Sequence, residues 1–219
     1  MGGRVRRVDA RLPLALLRAI QQLDTPSEAL PNENLSSFFP GRLGLSGVVG
    51  EKIRHLQRLA RIRRRVAEEE VSALLELISR RADAGAVLEA AGRLLAVSHF
   101  HGPLGGLRGL ARRMPARLRR RLALQTVRSA HQAFLAASDV AVEPGSLEIR
   151  ANAPLTARAS AYGAACRLYS SLTAGLLELS GLGQRLVSHP ECQRRGDARC
   201  TWRVEPQEAA RSAASERES

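Results

Sequence analysis

Four side chains in the last third of the sequence have the types and spacing of metal ligands. Cys166, His189, Cys192 and Cys200 stand in the order C-x22-H-x2-C-x7-C. A histidine and a cysteine three residues apart on a turn can grip one ion. The Gly196-Asp197 turn folds the chain back, so Cys200, at the start of a returning strand, can reach the same point. A helix packed against that hairpin brings Cys166 as the fourth ligand. Three thiolates and one imidazole form a common tetrahedral zinc shell. The same residues also allow a plainer reading. Free cysteine is among the most buried residue types and packs as a small hydrophobe, and C-x7-C alone is weak evidence, so spacing leaves both readings open.

The elements that must position these residues follow from the hydrophobic pattern. Arg4 to about Gln22 reads as a short amphipathic helix. The turn-rich "LDTPSEALPNENLSSFFPGRLGLSG" after it reads as an extended surface connection. Ser46 is placed to cap a helix from Gly47 through "EKIRHLQRLARIRRR". Val71, Leu74, Leu75 and Ile78 recur at i, i+3, i+4 and i+7, the period of an amphipathic helix. Asp83 is placed to cap the next helix, to about Val97.

"HFHGPLGGLRGL", with His99 and His101, marks a loop or boundary. Pro115 suits the first position of a helix reaching about Ala137, since its missing N–H is not needed there. "DVAVEPGSLEIRA" alternates apolar and polar about Pro144-Gly145 and predicts a β-hairpin. A helix from about Ala157 to Leu179 follows, with Ala161, Ala165, Leu168, Leu172 and Leu179 as its core stripe and Cys166 in its middle. Gly181 and Gly183 end it. "QRLVSH" and "CTWRVE" are strand candidates, the second presenting Cys200, Trp202 and Val204 on one face. The expected class is α+β: a helical N-terminal part over 1–80, a domain over 81–206 with a hairpin, a long helix and a C-terminal strand pair, and a disordered tail over 207–219.

Composition sets outer bounds. Apolar residues at 44% suit a folded chain, and aromatics at 3% leave the core to Leu, Val and Ala, which favours helices. The net charge of +13 is almost all arginine, Lys52 being the one lysine. Such charge attracts polyanions without specificity, and scattered over solvated helix faces it needs no partner. Leu12 to Ile20 is apolar, but Arg18 interrupts it and no cleavage site follows, which argues against a signal peptide. No run approaches a membrane span. Three cysteines without an export signal point to reduced thiols and a cytoplasmic protein.

The stretch "GLGQRLVSHPECQRRGDARCTWRVE" resembles the C-terminal signature of the 4-vinyl reductase domain family. The family shares the fold of TRAPP transport-particle subunits and of the haem nitric-oxide-binding relatives. It also serves as the sensor module of phenol- and xylene-responsive bacterial activators. Those sensors hold zinc with the pattern C-x22-E-x2-C-x7-C. Cys166, Cys192 and Cys200 fall on the three cysteine positions without a gap, and His189 takes the place of the glutamate. The resemblance therefore implies a zinc site of Cys166, His189, Cys192 and Cys200, with Glu191 the lesser substitute for His189. It covers roughly residues 85 to 206. The family's ligand cavity lies beside the helix that carries Cys166, which makes Tyr162 and Tyr169 pocket candidates, although ordinary packing explains them as well.

Three functions are consistent with this reading. The first is a non-catalytic, zinc-containing sensor of a small hydrophobic molecule, signalling through association, with a homodimer implied by the resemblance. The second is an accessory or reductase acting on the vinyl group of a (bacterio)chlorophyll precursor. Against an autonomous reductase, no G-x-G-x-x-G follows a strand and opens a helix. The third is a basic nucleic-acid-binding regulator built on "RLARIRRR" and "RRMPARLRRR". It lacks a convincing reading element, and "GVVGEK" lacks the spacing of a P-loop.

Overall fold

Asp9 starts the first helix: its Oδ1 accepts from the backbone N–H of Arg11 at 2.9 Å, satisfying one of the unpaired amides of a helix N-terminus. That helix, α1, spans Arg11–Asp24 and buries Leu12, Leu14, Ala15, Leu16 and Ala19. The computed structural model describes residues 6–24, 47–101, 114–135, 139–143, 147–159 and 161–205. The expected connection over 25–46 with Ser46, most of the glycine-rich loop, the Pro144-Gly145 turn and the tail after 206 lie outside the described residues, as does the stretch 136–138 with the expected helix end at Ala137.

Among the described residues, six further helices follow α1: α2 Gly47–Arg61, α3 Glu68–Ser79, α4 Ala84–Phe100, α5 Ala116–Phe134, α6 Leu155–Ala159 and α7 Arg167–Leu179. The strands are β1 Arg7–Asp9, β2 Arg65–Ala67, β3 Asp139–Glu143, β4 Glu148–Asn152, β5 Val187–Glu191 and β6 Cys200–Val204. The class is α+β, as the patterning indicates. No helix among the described residues is long and apolar enough to cross a membrane.

The start and end of the first helical segment differ from the sequence reading. Arg7–Asp9 is a strand paired antiparallel with Arg65–Ala67, Val8 opposite Val66. The basic run therefore leaves the helix at Arg61. Arg63 turns left-handed (φ 52°), and Arg64 N–H reaches Leu59 O at 2.9 Å. Burial of Val66 against the core outweighs the helix propensity of the arginines. Three-residue strands are too short to show a period of two. Asp83 stands before α4 as expected but makes no capping bond; its carboxylate takes Arg81 instead. Helix α4 runs on to Phe100, so His99 is helical, with Nε2 hydrogen-bonded to Ser129 Oγ at 2.9 Å.

Helix α4 approaches α7 closely. A Cβ added at Gly92 would stand 2.4 Å from Leu168 O and 2.9 Å from Leu172 N, both backbone atoms that cannot swing aside. A Cβ at Gly175 would stand 2.9 Å from that of Ala96. Gly92→Ala should therefore push the helices apart and cost about 1–3 kcal/mol, the usual range for overpacking. Urea unfolding measures it, and an unchanged midpoint would show that the interface has slack.

The second sheet has the order β3-β4-β6-β5, antiparallel throughout. Alternation places Cys200, Trp202 and Val204 on the buried face of β6, as predicted from the sequence. On β4, Glu148 accepts from Arg150 at 2.6 Å and from Arg203 on β6 at 3.1 Å, tying the central strands. Burial favours protonation of Glu148, but these two arginines together hold its carboxyl below the ordinary range. The apolar core is one continuous cluster from Val8 to Val204, so helices from both ends of the chain share it.

Candidate metal centre

The predicted helix from Ala157 to Leu179 is broken. After α6 the chain makes a 3-10 turn over Ala161–Cys166 and only then enters α7. Cys166 thus sits at the N-terminal edge of α7 rather than in the middle of a long helix. The 3-10 turn packs against the Gln193–Arg195 turn of the hairpin. Of the expected stripe, Ala165, Leu168 and Leu172 are buried and Leu179 packs against the core, with Leu176 and Leu177 added. The side chains of Ala161 and Tyr162 lie outside the described residues.

The other ligands come from β5, β6 and the turn between them. The β5–β6 register shifts between Ser188 and Glu191, and His189 and Pro190 occupy the irregularity. Pro190 has no N–H for the ladder, which makes a bulge there inexpensive. Beyond Cys192 a 3-10 turn, Gln193–Arg195, ends at Gly196 with φ 100°, a conformation glycine adopts without Cβ strain. Asp197 then folds back, its Oδ2 accepting from Cys192 N–H at 2.6 Å, and its own N–H reaches Cys192 O. The Gly-Asp turn closes the loop that holds both cysteines.

One ligand atom from each of Cys166, His189, Cys192 and Cys200 lies within 4.8 Å of every other. The Cys192 and Cys200 sulfurs are 4.0 Å apart. Zn–S bonds near 2.3 Å in a tetrahedron put sulfurs roughly 3.8 Å apart, so the cluster needs closing by roughly an ångström to take an ion. All three thiols are free and buried, and His189 is half-buried. His189 Nε2 is buried without a hydrogen-bond partner, as suits a nitrogen that takes a metal. Glu191 is engaged elsewhere: its carboxylate accepts from Thr201 Oγ1 at 2.5 Å and pairs with Arg199 at 3.6 Å.

The thiols share their protons unequally. Cys200 is pulled down to about 4, chiefly because Cys166 donates to its thiolate, with His189 adding to the pull against burial. The same bond, and then burial, hold the Cys166 thiol up. Burial raises Cys192. A dication held by the three sulfurs would strip the remaining thiol protons.

Trp202 organises the surroundings. Its ring stacks on His189 at 5.0 Å and 19°, and its Nε1–H donates to Cys166 O at 3.1 Å. Thr156 Oγ1 is hydrogen-bonded to Cys166 Sγ at 3.2 Å. Tyr169 is fully buried edge-on to Trp202, its hydroxyl donating to Phe134 O at 2.9 Å.

Sequence reasoning missed His131 and Thr156. His131 lies on the apolar stripe Ala123, Val127, Ala130 and Phe134 of α5, the signal that could have found it. Thr173 gives its hydroxyl proton to Tyr169 O, so it must accept from His131 Nε2–H at 2.8 Å. Nδ1 is left bare, buried and without a partner. Burial, and then the nearby His99, push His131 from 6.5 down to about 3. Protonation therefore favours the unfolded chain. The stability held by neutral His131 is complete above pH 6.5 and falls as pH drops toward 3. At about 1.4 kcal/mol per pH unit, wild type should lose roughly 2 kcal/mol through this group by pH 5. Urea unfolding at pH 7 and pH 5, in saturating zinc, should show His131→Gln losing less by that amount. Equal acid loss in both proteins would remove His131 from the account.

Fold and site together define an α+β protein with a Cys3His cluster able to hold a metal ion. Comparison of the chain with protein-family models, with curated proteins and with solved structures finds no match.

Proposed function

We propose that the chain is a zinc-stapled, non-catalytic binding module that senses a small hydrophobic molecule in the cytoplasm and signals by associating with a second copy. The observation that carries the reading is the meeting of Cys166, His189, Cys192 and Cys200, from a helix start, an edge strand, a turn and an inner strand. Their order matches the spacing of the 4-vinyl reductase domain sensors, and three sulfurs with one nitrogen favour zinc. Four protein ligands leave no position for a reacting water, so the ion's part is structural. When bound, it supplies a cross-link. Cys166 fixes the start of α7, Cys192 and Cys200 fix the turn, and His189 fixes the edge strand. Trp202 and Thr156 hold two of these ligands in place. Buried free thiols suit a reducing compartment.

A panel of small aromatics and lipids, screened by equilibrium binding to the zinc-loaded protein, tests the sensor role. The reading expects saturable binding of at least one class and a change in sedimentation that accompanies it. No binding at millimolar concentration would count against it.

A further inference from the structure

Between α7 and the edge strand β5 runs a groove of about 680 Å³, a size suited to a small molecule. Three arginines line it, from three different segments: Arg167 at the start of α7, Arg185 in the connection to β5, and Arg195 in the turn after Cys192. Glu89 is the one acid among the lining residues, and it meets Arg167 at only 3.5 Å with both side chains exposed.

Arg167 and Arg185 gain little stability from where they stand. Arg167 opens α7, where the helix dipole disfavours a cation, and the first turn holds no acid to offset it. Arg185 is half-buried, yet among the described residues its Nε donates only to Leu182 O, at 3.2 Å, and it takes no carboxylate. Arg195 is held across β5 by Nη2 bonds to His189 O and Pro190 O at 2.8 and 2.7 Å, which aims the guanidinium along the strand edge. Glu89 at 3.5 Å from Arg167 and Asp197 at 4.0 Å from Arg195 offset part of this charge, which leaves Arg185 as the arginine of the groove without a carboxylate among the described residues. Ser170 adds a hydroxyl, and Ala174, Leu186 and Val187 supply apolar wall. His189 reaches the same groove, so its occupant adjoins the metal cluster.

We infer that this groove binds a small organic anion, a carboxylate or a phosphate monoester carried on an apolar body, with Arg185 and Arg167 as the principal anion contacts. The groove stands apart from the sensor reading and rests on it only in that the protein assayed is zinc-loaded. The probes are benzoate, phenyl phosphate, inorganic phosphate and, as neutral control, benzyl alcohol, added to the full chain. Binding is followed by calorimetry and by amide chemical shifts at Val187 and His189. Benzoate or phenyl phosphate should bind saturably and shift both amides, the tighter of the two identifying the anion's source. Inorganic phosphate should bind more weakly and the alcohol not at all. Arg185→Ala and Arg167→Ala should each weaken binding about tenfold or more, the loss of a charge-assisted hydrogen bond. Arg128→Ala, which removes an exposed arginine of α5, should change nothing. Equal weakening in all three variants, equal binding of the alcohol, or no saturable binding of either organic anion would overturn the assignment. Anion binding by a chain that carries no zinc would retain the groove and remove the zinc reading instead.

Discussion

Replacing Cys166 by serine should release the metal and lower the stability of the zinc-loaded protein by about 4 kcal/mol, the value for a ligand present at a thousand times its dissociation constant. The size follows from linkage. The ligands come from elements that meet only in the folded chain, so the unfolded chain binds zinc far more weakly, and binding energy becomes folding energy. The apolar core runs from Val8 to Val204 and the cysteines are only three of its members, so the serine protein should still fold and the loss should be measurable. Urea unfolding in excess zinc and in chelator provides the test. Wild type should fall to the level of Cys166→Ser when the metal is removed, while the variant should be indifferent to either addition. A wild type equally stable in both solutions would show that the cysteines are packing residues.

Trp202→Ala should be the most damaging change outside the ligands. The indole is fully buried and touches His189, Tyr169 and the backbone of Cys166. Truncating a buried tryptophan costs about 3–5 kcal/mol in lost burial and cavity formation. Removal of a group that orients metal ligands adds a loss of about 10–100-fold in zinc affinity. Trp202→Phe separates the two effects, because it keeps most of the ring against His189 and gives up the N–H to Cys166 O. Competition with a chromophoric chelator measures the affinity, and urea unfolding the stability. If Trp202→Ala bound zinc as wild type does, the stacking on His189 would have no part in positioning the ligand.

Much of the site is legible in the sequence because ligand chemistry is carried by residue type and spacing. Cys192 and Cys200 flank a turn whose Gly196-Asp197 pair has local turn chemistry, and the alternation of β6 assigns Cys200 and Trp202 to the buried face. The break before Cys166 is not legible. Ala161, Ala165 and Leu168 continue a helical period across it, and Thr156 and Trp202, the partners of Cys166, lie in other elements. The irregularity at His189 is signalled by Pro190, whereas the stacking of His189 on Trp202 is not. The pairing of Val8 with Val66 joins segments too short for any pattern and far apart in sequence. His131 is invisible for another reason: its polar side chain occupies a position that the stripe of α5 reserves for apolar groups, and Thr173, 42 residues away, takes one of its nitrogens. Local chemistry can thus be read from the order of residues, whereas contacts between distant segments cannot.

Zinc-edge X-ray absorption on protein purified without chelator tests the central claim most directly. The account predicts one zinc per chain with three sulfurs at about 2.3 Å and one nitrogen at about 2.0–2.1 Å. A folded chain without metal, or a shell of oxygen ligands, would contradict it.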